Sequence, residues 1–182
     1  LSMHIATLML VQGRGAEALS LIEAAQAQVV DAEPGSEAFW RFAGELAAAE
    51  NRPALAIAAY RRIVLGERGK AAEAADFEAL YRLLQDDDPA AAAQVALAAW
   101  RRFHAPASLL RALEYHAGAG QWQAVARIFA EIPAGELAAL RGQADFLQIS
   151  ARYHAQRGEP ARARADLQAA LALSPRSPGL LA

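Results

Sequence analysis

The 182-residue chain is 55% hydrophobic and 21% charged, has no cysteine, and sets 18 basic against 20 acidic residues for a net charge of −2. That charge density excludes a disordered chain, the balance excludes a basic nucleic-acid-binding domain, and the lack of thiols excludes a disulfide scaffold or cysteine nucleophile. With 49 alanines and few β-branched residues, an all-helical soluble domain is expected.

In chain order, one turn signal recurs. A glycine or Asn/Asp closes a helix, and the next helix carries a small residue with, usually, a larger one four positions on. It reads Gly13-Arg14 with Ala18 and Ile22, then Asn51-Arg52-Pro53 with Ala56 and Tyr60. It returns as Asp87-Asp88-Pro89 with Ala92 and Ala96, Gly120-Gln121-Trp122 with Val125 and Phe129, and Gly158-Glu159-Pro160 with Ala163 and Leu167. Residues 13, 51, 87, 120 and 158 are equivalent, at spacings of 38, 36, 33 and 38.

Each part of the signal has a physical reason. Glycine and Asn/Asp tolerate the left-handed backbone that ends a helix. Pro53, Pro89 and Pro160 take a first helical position, where a missing N–H costs nothing. Asp88 and Glu159, just before two of these prolines, suit the positive end of the helix dipole. Ahead of the turns run apolar stripes at helical spacing, such as Phe39, Phe42, Ala43 and Leu46, or Phe146, Ile149 and Tyr153. Each unit is therefore a pair of antiparallel helices that needs neighbours to bury its apolar face.

These units resemble tetratricopeptide (TPR) repeats. Residues 37–70 carry the resemblance through Trp40, Gly44, Ala56 and Tyr60, and residues 144–177 through Leu147, Ala151, Gly158, Ala163, Leu167, Ala170 and Pro175. Residues 1–32 resemble a repeat lacking its first two positions, with Ala6, Met9, Gly13, Ala18 and Ala25 in place. The units at 73–105 and 106–139 place Leu80 and Leu113 where the family has a small residue, so their helices are expected to pack more widely. The resemblance implies an α-solenoid of about five hairpins in one right-handed superhelical array over 1–182, with longer joints at Gln26–Ser36 and Ala134–Gln143. The chain starts inside a helical pattern, and Ser174–Ala182 reads as turns leading to a further helix, so a fragment of a longer array is expected.

The same resemblance assigns a concave, partner-binding face to the first helix of each pair. Carried onto this chain, it names Arg41, Glu45, Phe77, Tyr81, Gln85, Glu114, Gln148 and Arg152, with Leu110, Asp145 and Gln156 at matching positions. Phe77 and Tyr81, four apart, share a helix face, and an aromatic pair beside Arg and Glu suits a grip on a partner's helix or extended segment. The alternative is that Phe77 and Tyr81 are core residues.

Other polar groups read as structural. Asp86-Asp87-Asp88 lacks the spaced loop oxygens of a hard-cation site and reads as a helix cap before Pro89. His4, His104, His116 and His154 share no ligand spacing, and no metal or cofactor is expected. Arg61-Arg62 and Arg101-Arg102, late in their helices, read as solvated, while Trp100 and Trp122 read as packing between repeats. No phosphate loop or nucleophile elbow is present, so no catalysis is expected.

Function on such a fold lies in its surface, and a non-catalytic protein-binding scaffold is the leading expectation. The Ala/Arg/Leu-rich, cysteine-free, degenerate repeats further resemble the periplasmic TPR regions of bacterial exopolysaccharide exporters of the Pel and cellulose type. That resemblance implies a periplasmic setting and a partner such as a polysaccharide deacetylase or hydrolase. The alternatives are a cytoplasmic regulatory or sensor arm, and direct glycan binding through Phe77, Tyr81, Glu45 and Glu114.

Overall fold

The protein is described by a computed structural model covering residues 1–29, 35–65 and 71–174. The expectations for Pro175, the 175–182 tail and residues 30–34 of the first long joint lie outside the described residues. Among those residues there are eleven helices and no strand. They are α1 (Ser2–Val11), α2 (Gly15–Gln26), α3 (Ser36–Ala49), α4 (Pro53–Leu65), α5 (Ala74–Leu84), α6 (Pro89–Phe103), α7 (Pro106–Gly118), α8 (Trp122–Glu131), α9 (Ala134–Leu140), α10 (Ala144–Gln156) and α11 (Pro160–Leu173). They gather into two compact units, Leu1–Val95 and Ala96–Ala182, with the division inside α6.

The recurring turns fold as their residues dictate. Asn51, a non-glycine residue, adopts a φ of +56°, and the glycines at three equivalent turns, Gly13, Gly120 and Gly158, are likewise left-handed. Pro53, Pro89 and Pro160 open α4, α6 and α11. Asp88 Oδ1 accepts the Ala91 amide at 3.0 Å, so the acidic run does cap α6.

In the first unit, α3 and α4 pack closely because Gly44 lacks a side chain. A Cβ there would lie 2.8 Å from Cε2 of Tyr60, whose ring is buried. Phe39, Trp40, Ala43 and Leu46 of α3 are buried, as the stripe predicts, while Phe42 is only half-buried.

In the second unit Trp100, Leu109, Leu113, Val125, Ile128, Leu140, Phe146, Ile149 and Tyr153 are packed together in a core. Here α10 and α11 run close together with Ala151 buried, whereas α7 and α8, with Leu113 wholly buried, approach over a shorter stretch, as the leucine predicts. The joint at 134–143 is more than a connection, because it folds as α9. Leu140 anchors it in the core, and Glu136 accepts Trp100 Nε1–H at 2.9 Å while pairing with His104 Nδ1 at 2.6 Å.

Of the arginine pairs, Arg61, Arg62 and Arg101 are exposed, as the solvated reading expects, and Arg102 is half-buried, yet three of the four also meet a partner. Arg62 lies over the Trp40 ring at 4.5 Å and Arg102 over Phe103 at 5.2 Å, while Arg101 forms a two-pronged pair with Glu131 at 2.8 and 2.9 Å. The long alkyl stems let these groups reach partners that one helix's dipole does not provide.

Candidate interaction surface

In the first unit the sequence-derived residues sort by depth. Arg41 leaves α3 toward the start of α5, where Nε meets Asp76 Oδ1 at 2.7 Å and Nη2 meets Oδ2 at 2.8 Å. Glu73 adds a third contact at 3.1 Å. The Asp76 side chain is 1% exposed and also accepts the Glu73 amide at 2.8 Å, completing a reciprocal cap on α5. Burial alone would raise the Asp76 carboxyl, but the Arg41 guanidinium and the Glu73 amide outweigh it and hold it below the usual carboxylate range. Arg41 is therefore committed to an internal, bidentate pair.

Phe77 is 5% exposed and belongs to the core, so its ring is not open to a ligand. Of the same group, Tyr81 is half-buried, whereas Glu45 on α3 and Gln85 at the end of α5 are exposed. A repeat register tells which side of a helix a residue takes, but not how deep the neighbouring helix covers it. Asp76 went unread as Arg41's partner because the two lie 35 residues apart; the Glu73-x-x-Asp76 spacing was the available signal.

In the second unit α7 and α10 pack side by side. They present Glu114 (exposed) and Leu110 (half-buried) from α7, and Asp145 and Gln156 (exposed) with Gln148 (half-buried) from α10. Partial burial first, and the charge of Asp145 second, push the Glu114 carboxyl up, against a lowering pull from Arg111. The Asp145 charge thus acts on Glu114 across neighbouring helices. Arg152 is exposed, yet it donates from Nη2 to the Ala117 carbonyl at 3.0 Å and lies 5.5 Å over the Trp122 ring, tying α10 to α7 and α8. Next to Trp122, the start of α8 forms an open hollow of about 540 Å³ lined by Gly120, Gln121, Gln123, Ala124 and Arg127.

The histidines at equivalent positions lock their turns. His116 Nδ1 lies 2.6 Å from Gln121 Oε1, and His154 Nδ1 lies 2.8 Å from Glu159 Oε2. Among the described residues no three His, Asp or Glu side chains converge as a metal site. The chemistry available on these helix faces is hydrogen bonding and ion pairing with a partner.

A family model described as tetratricopeptide repeat matches residues 1–182. Among solved structures, YrrB, a TPR protein with an unusual peptide-binding site, is similar with a TM-score of 0.60 at 15% identity, over 99% of this chain and 88% of that one. The assembly chaperone of RpL4 (Acl4, residues 1–338) gives a TM-score of 0.43 at 16% identity, over 98% and 77% of the two chains. No curated protein matches the chain. At such identities the likeness to YrrB is one of fold.

Proposed function

The chain belongs to the tetratricopeptide repeat family, and from that premise we propose that it is a scaffold binding a segment of another protein along its first-helix faces. The observation that carries this reading is the pairing of α7 with α10, across which partial burial and the charge of Asp145 hold the Glu114 carboxyl above its usual range, with Gln148 on the same two-helix face. A basic side chain of a partner offsets that charge, and Gln148 supplies a donor and an acceptor to its backbone. The peptide-binding site of YrrB, on the same fold, supports a polypeptide ligand. So does the burial of Phe77, since it removes one of the two aromatic rings, Phe77 and Tyr81, on which the glycan reading relied.

The finer proposal is that the partner is a polysaccharide deacetylase or hydrolase, recruited in the periplasm during bacterial exopolysaccharide export. It rests on the texture of the repeats, rich in alanine, arginine and leucine and without cysteine. A pull-down from the host's periplasmic extract tests it. The parent chain is compared with a variant carrying Tyr81→Ala, Gln85→Ala, Glu114→Gln and Gln148→Ala, with Arg41 and Phe77 left intact to keep the fold. A carbohydrate-active enzyme retained by the parent and lost by the variant is the expected result. Equal retention by both would refute the face, and retention of other proteins alone would refute the export role.

A further inference from the structure

The short helix between α8 and α10 is held in place by few groups. Of the seven residues of α9, Ala134, Gly135, Ala138 and Ala139 are exposed and only Leu140 is buried. Such a helix does not persist on its own propensity, since isolated helices need roughly 12–15 residues in water. Its closed position therefore depends on Leu140 at one end, on the Glu136 side chain near the other, and on the half-buried Leu137 between them.

Glu136 is gripped from the end of α6 by two side chains one helical turn apart. Trp100 Nε1–H donates to Oε2 at 2.9 Å and His104 Nδ1 meets Oε1 at 2.6 Å, so both carboxylate oxygens are taken. The His104 ring also stands edge-on to the Trp100 indole, with centroids 6.3 Å apart. His104 reaches Glu136 from a left-handed backbone, at a φ of +54°. That conformation suits glycine and strains a residue that carries a Cβ. The other left-handed residues, Gly13, Gly35, Asn51, Gly120 and Gly158, are glycines or an asparagine. What a histidine adds at this turn over a glycine is the imidazole on Glu136.

We propose that α9 is a releasable strap, clasped by Trp100 and His104 through Glu136, which opens as a unit while the hairpins on either side stay folded. Pro133 and Gly142 bound the moving piece. Opening lifts Leu140 out of a core that it shares with Leu109 and Leu113 of α7 and with Phe146 and Ile149 of α10. The state of the strap thereby reaches the two helices that carry Glu114 and Gln148. This goes beyond partner binding on the first-helix faces and holds whether or not they bind a partner.

Arg141, exposed at the end of α9, makes the strap its own reporter, because trypsin cuts a folded chain only where the backbone around the arginine opens. Native trypsin digestion of the full chain, read by mass spectrometry, should show cleavage after Arg141 at least about tenfold faster than after Arg127 in α8 or Arg152 in α10. Two variants test the clasp. His104→Gly relieves the left-handed residue while removing the imidazole, and Glu136→Gln keeps the size of the side chain but loses its charge. Each should speed the Arg141 cut about tenfold further and leave the cuts after Arg127 and Arg152 unchanged. For His104→Gly the urea midpoint should not fall. Cleavage at all three arginines at one rate, or sped alike by the variants, would overturn the proposal by showing that α9 opens only when the unit unfolds. A faster Arg141 cut that neither variant changes would overturn it by showing ordinary access to an exposed turn.

Discussion

Replacing Arg41 with alanine is expected to destabilise the unit Leu1–Val95 by about 3–5 kcal/mol, the range for removing one partner of a buried ion pair. Asp76, with a 1% exposed side chain, would lose both guanidinium bonds and keep only the Glu73 amide. The pair itself need not contribute that much; the cost is the uncompensated charge left behind. Urea unfolding followed by circular dichroism measures the effect, and a loss below about 1 kcal/mol would show the pair to be a surface-type contact. The pH dependence follows from the depressed Asp76 carboxyl. Its contribution is fully present above the ordinary carboxylate range and is lost as pH falls through the lower folded value. Arg41→Ala removes the main cause of that depression, so the gap between parent and variant should narrow on acidification. Arg41→Lys keeps the charge but loses the two-pronged fork, and should fall between them.

The second large effect is expected at Trp100 in the other unit. Trp100→Ala should remove about 3–5 kcal/mol, because a 2% exposed indole is lost from the centre of the core and the surrounding leucines collapse only in part. The indole N–H also holds Glu136, so α9 should loosen together with the core. Trp100→Phe separates the two roles by restoring most of the apolar volume while leaving Glu136 without that donor. Hydrogen exchange should then show faster amides in 134–140 for both variants, with the global loss much larger for alanine. Unchanged exchange in Trp100→Phe would mean that Leu140 and His104 suffice to hold α9.

These two sites also mark where reading the sequence stops short. Turns were legible because their causes are local: the left-handed backbone at Gly13, Asn51, Gly120 and Gly158 and the prolines that open α4, α6 and α11 need only a few neighbouring residues. The all-helical hairpins follow from those turns and the stripes between them. Depth and polar pairing were not legible in the same way. Arg41 finds Asp76 35 residues on, and Trp100 finds Glu136 36 residues on, so neither pairing leaves a short motif. Phe77 and Tyr81 share a helix face, yet one is core and the other half-open, a difference set by helices that neither residue's own spacing describes. The α9 segment reads as a joint because seven residues are too few to show a helical period.

The most direct test of the account is site-specific photo-cross-linking in the host's cells. A photoreactive amino acid is placed singly at Tyr81, Gln85 and Gln148 on first helices, and at Arg61 and Gln94 on second helices as controls, the last two both exposed. Adducts to one protein are expected from the first-helix positions and none from the controls. Adducts arising only from Arg61 or Gln94 would contradict the account by placing the partner on the opposite faces of the hairpins.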